Sequence, residues 1–379
     1  MRPKAVFGLG MGDEGKGKTV SWLCSKAKSP TTIRFSGGHQ AGHHVMIDEN
    51  LSHVFSNFGS GTLQGASTYW SRFCTIDPVG IFNEYQILKE KVDVMPVLYI
   101  DHRCPITTPF DKNHNKVTEG LKKHGSCGVG FGETIQREED RYSLIMEDLF
   151  NEAAFFIKLD MIRNHYGREF CSHQESVEFI EACEWLINTI GIIAADNPIT
   201  PTMYHEPIFE GSQGLLLDQD IGFFPHVTRS NTGYKNMHDI QGAFKPIFVT
   251  RAYQTRHGNG PMEIAEGYGE QWIHNPYEQS RDDGPQGVFR SAPLSLDILK
   301  YGLRRNDLLS GYDTEDMEPT LVITCLDLVE DKWVLIRNDE KETFKSEGSF
   351  VSAIGEFLGF EEIYLSRSPF SADMERYGI

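Results

Sequence analysis

Short runs of β-branched and aromatic residues recur along the chain, each bounded by glycine, proline or small polar residues. The first covers 5–8, and similar runs at 32–35, 96–100, 207–209, 246–250, 320–324, 333–337 and 362–365 are read as further strands. Between them, apolar positions return at helical spacing. Val20, Trp22 and Leu23 predict a helix over about 17–26, and Val177, Ile180, Cys183, Ile187 and Ile190 trace an apolar stripe that predicts one over about 174–195, packed on the core.

Strands alternating with helices predict an α/β fold with a largely parallel central sheet flanked by helices. The whole chain, 1–379, is read as one such domain with inserted helical and loop subdomains, since no internal repeat, low-complexity tract or linker divides it. Ligands of these sheets gather at the carboxyl ends of strands. Segments 36–47, 124–142, 210–235 and 254–295 exceed ordinary connections in length, are rich in glycine or polar residues, and are expected to be long active-site loops.

With 379 residues, 39% hydrophobic and 24% charged, the chain has the make-up of a globular protein able to bury a large core. Its formal charge of −18 opposes binding to DNA or RNA, which relies on cationic side chains displacing counterions, so no polymeric nucleic-acid partner is expected. The cysteines (Cys24, Cys74, Cys104, Cys127, Cys171, Cys183 and Cys325) are odd in number and never spaced C-x-x-C, which favours a reducing cytoplasm over a disulfide framework or zinc knuckle. The N-terminus lacks a signal-peptide core and no stretch reaches the roughly 18 apolar residues of a membrane span, so no membrane partner is expected.

Directly after the first strand and before the first helix stands Gly12-Asp13-Glu14-Gly15-Lys16-Gly17-Lys18-Thr19, which meets the spacing G-x-x-x-x-G-K-[ST]. Glycines there let amides reach phosphate oxygens, the helix N-terminus adds partial positive charge, and Lys16 or Lys18 neutralises the rest, so the sheet is expected to be P-loop-like. A plain glycine turn is the bland alternative. A dinucleotide pattern through Gly10, Gly12 and Gly15 is weaker, because no clear acidic ribose partner follows about 20 residues on. A carboxylate beside phosphates is repulsive unless it holds Mg²⁺ or handles a proton, which singles out Asp13 and Glu14.

A second cluster, Ser36-Gly37-Gly38-His39-Gln40-Ala41-Gly42-His43-His44, sets histidines that can exchange protons near neutral pH among glycines that admit a ligand. Zinc on His39, His43 and His44 lacks a carboxylate companion, and solvated loop histidines are commoner. In a third, Phe209-Glu210-Gly211-Ser212-Gln213-Gly214, Glu210 stands where a nucleophile elbow needs glycine, which excludes that reading. Gln213 can both donate and accept at a lactam-like purine edge.

In this order, the clusters resemble those of adenylosuccinate synthetases, over most of the chain. Residues 12–18 look like the family's phosphate-loop signature, 37–43 like G-G-H-N-A-G-H with Gln40 for asparagine, and 209–232 like F-E-G-A-Q-G … V-T-S-S-N-T. Gly125-Ser126-Cys127-Gly128-Val129-Gly130 is similar to G-T-T-G-R-G, and Thr324-Cys325-Leu326-Asp327 to T-K-L-D.

The resemblance implies a cytoplasmic C–N ligase of purine-nucleotide biosynthesis. A nucleoside triphosphate phosphorylates O6 of a 6-oxopurine nucleotide, and the amine of L-aspartate then displaces that phosphate at C6. By resemblance Asp13 is the base at N1, Gln213 stabilises the charge passed to O6, and His43 is the general acid. Gly12, Glu14, Gly15, Lys16, Gly17, Lys18 and Gly42 would hold the triphosphate, and Asp13 with the Gly42 carbonyl would hold Mg²⁺. The monophosphate would meet Gln40, Ala41, Ser126, Cys127, Gln213, Thr228 and Arg141, the arginine reaching over from the other subunit of a homodimer. Asp327, Cys325, Ser366 and Ser368 would face the base of the triphosphate.

Departures from the pattern bear on substrates. Where the family's T-T-G-R-x-R-R-T-G-W loop grips the aspartate carboxylates, this chain has Gly284-Pro285-Gln286-Gly287-Val288-Phe289-Arg290-Ser291. Arg290, Ser291 and Arg281 are the amino-acid-binding candidates, with Arg256 or Arg251 as substitutes. Cys325 replaces a lysine, which admits ATP or dATP beside GTP. The shorter chain and altered ribose-side loop suggest a bacteriophage branch, acting in host cytoplasm, that couples aspartate to dGMP or GMP and yields 2-aminoadenylosuccinate on the way to 2-aminoadenine. Many of its members carry serine at position 13, so the likeness is to an aspartate-retaining subgroup. IMP with GTP is the alternative. A GTPase-like binding protein gives no reason for residues 37–43 and Gln213.

Overall fold

The structure, a computed structural model, describes residues 2–122, 127–189, 192–195, 206–263, 275–278, 287–311, 317–330 and 332–378. Strand β1 (Lys4–Gly8) is buried on both faces, Ala5 and Phe7 entering one core and Val6 another, which is why it reads as a continuous apolar run. A glycine-rich loop leads into α1 (Lys16–Ser25), and the chain returns through β2 (Pro30–Arg34). The hairpin β3 (His43–Met46) and β4 (Ser52–Phe55) stands off the main sheet, which β5 (Ser67–Trp70) rejoins.

Helix α2 (Pro78–Lys89) and β6 (Leu98–Asp101) are followed by a helical stretch: α3 (Pro109–Lys122), α4 (Phe131–Glu139), α5 (Glu152–Tyr166) and α6 (His173–Asn188). Strand β7 (Ile192–Ala195) ends it, and β8 (Glu206–Gly214) returns to the sheet centre. Then come α7 (Tyr234–Ile240), β9 (Lys245–Arg251), β10 (Tyr253–His257), β11 (Phe289–Ser295) and α8 (Leu296–Ser310). The last elements are β12 (Thr320–Thr324), β13 (Trp333–Arg337), β14 (Glu340–Phe344), α9 (Glu347–Leu358), β15 (Glu362–Leu365) and β16 (Glu375–Arg376).

Ten strands form the main sheet in the order β16-β15-β12-β9-β1-β8-β2-β5-β6-β7, parallel at every pairing except β15 with β16. The expected largely parallel sheet flanked by helices is therefore observed. From the central pair β1 and β8 the chain builds outward both ways, which opens a crevice at their carboxyl ends. The pairing of these two strands slips there: Val6 faces Glu210, but Gly8 faces Gly214. This bulge, with Gly214 pressed against the Gly10 carbonyl, re-aims Ser212 and Gln213 toward the crevice.

Several boundaries differ from the sequence reading. The helix expected over 174–195 ends at Asn188, and Ile192 to Ala195 pair with β6, because an isoleucine-rich run continues a helical stripe as readily as it fills a buried strand. Segment 36–47 ends in β3, 124–142 contains α4, and 254–295 contains β10 and β11, so the long loops are partly structured. Residues 333–337 do form a strand, but in a separate four-stranded sheet, β10-β11-β13-β14. Among the described residues no helix is long and apolar enough to cross a membrane.

Candidate active site

The phosphate loop takes left-handed backbone at Gly12 (φ 91°), Asp13 (φ 55°) and Gly15 (φ 90°), a region glycine enters freely and aspartate better than most residues. Gly15 is the N-cap of α1, and no side chain caps that end. Gly17 is fixed by packing, because a Cβ there would lie 2.7 Å from His43 Cβ and 2.9 Å from Ser60 Oγ. Two distant strands lock the loop: Arg251 Nε donates to the Asp13 carbonyl, and Thr324 Oγ1 to that of Glu14 at 2.9 Å.

Glu14 turns inward. The Gly10 amide donates to Oε1 at 2.5 Å, while Oε2 is buried with no hydrogen-bond partner among the described residues. Burial pushes this carboxyl up to about 7 against the pull of Lys16, the Gly10 and Gly12 amides and Arg251. Burial likewise lowers Lys16, opposed by Glu14 and Asp13, and brings Lys18 down to about 8. Lys18 donates to Ser366 Oγ and the Ser368 carbonyl, with Asp373 3.7 Å away. Ser366 and Ser368, expected at the triphosphate base, therefore also anchor a loop lysine.

His43 opens β3 beside α1. Its Nδ1 lies 2.5 Å from Glu210 Oε1 and its Nε2 3.1 Å from the Ser212 carbonyl. The Ser60 hydroxyl donates to the same Glu210 oxygen and its amide to the other, at 3.1 Å. Fully buried Arg34, in register with Glu210 across β2 and β8, lies 4.9 Å over the Trp70 ring. Burial alone would raise the Glu210 carboxyl, yet His43, Arg34 and the hydrogen bonds from His43 and Ser60 bring it down to about 2. Burial lowers His43 while Glu210 pulls the other way. With acceptors at both ring nitrogens, the imidazole is fully hydrogen-bonded only when protonated, the form a general acid needs.

Both loops open on one cleft of about 1220 Å³, whose lining includes Asp13, His43 and Gln213. Gly12, Glu14, Gly15, Lys16, Gly17, Lys18 and Gly42 line it, as do Gln40, Ala41, Cys127, Thr228, Cys325, Ser366 and Ser368. Gln213 Oε1 accepts from Ser212 Oγ at 2.6 Å. Both polar atoms of the Gln40 amide are buried without a hydrogen-bond partner among the described residues. His39 is engaged elsewhere, its Nε2 2.8 Å from the Val129 carbonyl.

Other sequence candidates lie off this lining. Asp327 sits exposed on a short turn after β12, and Arg141 is exposed just beyond the C-terminal end of α4. Ser126 and Arg281 fall outside the described residues.

Next to the phosphate loop, with its Nη1 3.2 Å from Met11 Sδ, Arg256 faces Arg290 across antiparallel β10 and β11. Like charges in that position repel. Main-chain carbonyls offset this: Arg256 donates to Pro261 at 2.8 Å, His226 at 3.0 Å and Asn259 at 3.3 Å, and Arg290 to Gly258 at 2.6 Å and Gly260 at 2.9 Å. Burial, then Arg290, bring Arg256 down to about 10. Arg256 lines the cleft, whereas Arg290 and Ser291 stand behind that lining on β11. Arg251 is committed elsewhere, to the Asp13 carbonyl and, at 2.9 Å, to Glu278. Glu210, Ser60 and Arg34 were not singled out from sequence as site residues, for no short spacing links them.

Among the described residues no group of three or more histidine, cysteine, aspartate or glutamate side chains could hold a metal. Mg²⁺ needs no such cage, since it keeps waters and binds one or two carboxylates together with substrate phosphates. The Asp13 carboxylate and the Gly42 carbonyl, both of residues lining the phosphate-loop cleft, are oxygen donors of the kind that set needs.

A parallel sheet with a phosphate loop, a carboxylate within it and a histidine–glutamate pair beside it defines, with its relatives, an NTP-dependent ligase that forms C–N bonds. The family model for adenylosuccinate synthetase matches residues 5–279. Adenylosuccinate synthetase of Nitrosospira multiformis is 30% identical over 344 residues, 82% of this chain and 77% of the relative. The enzyme of Acidithiobacillus ferrooxidans is 30% identical over 276 residues, 68% of this chain and 64% of its own length. This chain belongs to the adenylosuccinate synthetase family.

Two solved structures share the fold. The fully ligated adenylosuccinate synthetase of Plasmodium falciparum superposes with a TM-score of 0.79 at 18% identity, covering all of both chains. A cyanophage S-2L succinoaminodeoxyadenylate synthetase, bound to dGMP and dATP, gives 0.63 at 13% identity over 100% of this chain and 96% of the phage one. At such identities the likeness concerns fold alone. The sequence-based preference for a phage branch therefore gains no support beyond fold, and the named relatives favour the adenylosuccinate reading.

Proposed function

We propose that this protein joins L-aspartate to C6 of a 6-oxopurine monophosphate at the expense of a nucleoside triphosphate, with IMP as acceptor and GTP as donor. The observation that carries this is the opening of Asp13, His43 and Gln213 onto one cleft with the phosphate loop. In the first step the O6–phosphorus bond forms and the bond from the γ-phosphorus to its bridging oxygen breaks. Asp13 takes the N1 proton, Gln213 steadies charge on O6, and His43, held by Glu210, meets the charge on the leaving diphosphate. In the second the amine of aspartate attacks C6, the C6–O6 bond breaks and phosphate departs. Asp13 and the Gly42 carbonyl would hold Mg²⁺, which when bound would supply charge neutralisation on the phosphates.

The aspartate carboxylates belong at Arg256, which lines the cleft, with Arg290 opposite it adding positive charge from behind that lining. Arg141, exposed beyond α4, is available to a partner subunit in a homodimer.

A second reading, with dGMP or GMP as acceptor and ATP or dATP as donor, has one feature in its favour. Residues 287–291 supply a single arginine, which is bound to the carbonyls of Gly258 and Gly260, and so offer little to a ribose hydroxyl. Incubation with aspartate, Mg²⁺ and each pairing of IMP, GMP or dGMP with GTP, ATP or dATP, read by mass spectrometry, separates the two. Triphosphate hydrolysis without any purine adduct would overturn both.

A further inference from the structure

The cations of the cleft are unevenly distributed. Lys16 and Lys18 belong to the phosphate loop, Arg251 is bound to the Asp13 carbonyl of that loop, and Arg256 is bound to the carbonyls of His226, Asn259 and Pro261. Around Thr228 and Cys127 the chain's lining includes the neutral side chains of Gln136 and Asn115 and the acid Glu133, together with one further cation, Arg229.

Arg229 stands where the family pattern V-T-S-S-N-T has serine, while Val129 stands at the arginine of G-T-T-G-R-G. Its stem passes Gly132 in the first turn of α4, with Cδ 3.9 Å from where a Cβ would stand. The guanidinium reaches Gln136 Oε1 at 2.6 Å and Glu139 Oε2 at 2.6 Å. Both partners of the ion pair are more than a third exposed, at 38% and 56%. A pair so exposed contributes little, and a phosphate dianion, which accepts two parallel N–H bonds from one guanidinium, competes well against it.

We propose that Arg229 binds the 5′-phosphate of the purine monophosphate from within the same chain, making it a specificity residue that distinguishes nucleotide from nucleoside. This rests on the function proposed above. Glu139 and Gln136 hold the guanidinium at the rim of the cleft until the phosphate arrives.

The test is kinetic and direct. In Arg229→Ala, KM for the monophosphate rises about tenfold or more, as expected for losing charge-assisted hydrogen bonds, while kcat and KM for triphosphate and aspartate stay within about twofold. Discrimination against inosine, which lacks the phosphate, shrinks by the same factor. A merely structural tie between α4 and residue 229 would be broken equally by Glu139→Gln, so a matching rise in KM for that variant overturns the proposal. The proposal expects Glu139→Gln to leave KM unchanged or lower it.

Calorimetric titration of IMP and of dGMP into the wild type and Arg229→Ala separates binding from turnover. Equal Kd in both proteins overturns the role of Arg229 even if the coupling reaction is confirmed. A wild type that binds IMP or dGMP more tightly than the variant, yet makes no aspartate adduct, supports the role of Arg229 and overturns the function. Binding of neither nucleotide by the wild type overturns both.

Discussion

At the phosphate-loop end of the cleft the site is built mainly from main chain, whereas the proposed amino-acid end rests on two long side chains, Arg256 on the lining and Arg290 behind it. Residues 12–18 are held by strands β9 and β12 at the Asp13 and Glu14 carbonyls and by packing of Gly17 against His43 and Ser60. The guanidinium groups of Arg256 and Arg290 lie on irregular backbone over 258–261. A site built from backbone tolerates few substitutions because its glycines cannot be exchanged, but one built from arginines can change which strand supplies the charge. The first end should therefore fail sharply under mutation and the second by degrees.

The largest expected effect tests the first end. Asn is at home in left-handed backbone, so Asp13→Asn keeps the loop conformation and removes the carboxylate that serves as base and Mg²⁺ ligand. Turnover should fall by about two to four orders of magnitude with an unchanged melting temperature. Near-normal activity would remove Asp13 from the chemistry.

His43→Ala should be similarly severe, and Glu210→Gln, which keeps an acceptor at Nδ1 but not the charge, somewhat less so, by about two orders of magnitude. Glu210 favours the imidazolium, so its neutralisation lowers the His43 pKa and should move the alkaline limb of the kcat/KM profile to lower pH. An unmoved limb would mean that His43 serves packing.

These two ends also differ in how far the sequence disclosed them. Glycines at 12 and 17 follow a fixed spacing because amides must reach phosphates, and that spacing is visible in the sequence. The helix over 16–25 and seven of the ten strands of the main sheet were legible for the same local reason, apolar period. Glu210, Ser60 and Arg34 come together only through the register of β8 with β2 and the packing of the segment before β5, and no local pattern encodes register across 176 positions, the separation of Arg34 and Glu210 (210 − 34). The pairing of Arg256 with Arg290 likewise depends on two strands hidden within a segment that read as loop.

Glu14 sharpens the comparison through stability. Its carboxyl has an ordinary value of 4.5 and stands near 7 in the fold, so the folded protein binds this proton more tightly than the unfolded chain does. That contribution to stability is full below about pH 4.5 and is lost as pH rises through about 7. Glu14→Gln abolishes the loss, so it should gain up to roughly 3 kcal/mol over the wild type at pH 8, compared by urea denaturation at pH 5 and pH 8. Parallel pH dependence in the two proteins would show that Oε2 meets solvent.

The smallest effect belongs to the amino-acid end. Arg290 donates through Nη2 to two carbonyls and stands opposite Arg256, so each guanidinium raises the other's demand for an anion. Arg290→Ala relieves that repulsion while removing positive charge from behind the aspartate site, and Arg256 retains its three carbonyls and its place on the lining. KM for aspartate should then rise by about tenfold, equivalent to ~1.4 kcal/mol, with kcat nearly unchanged, because binding is lost equally from ground and transition states. If kcat fell by two orders of magnitude, the amino-acid end would be as rigidly specified as the phosphate loop, and the contrast between them would reflect only which patterns the sequence makes visible.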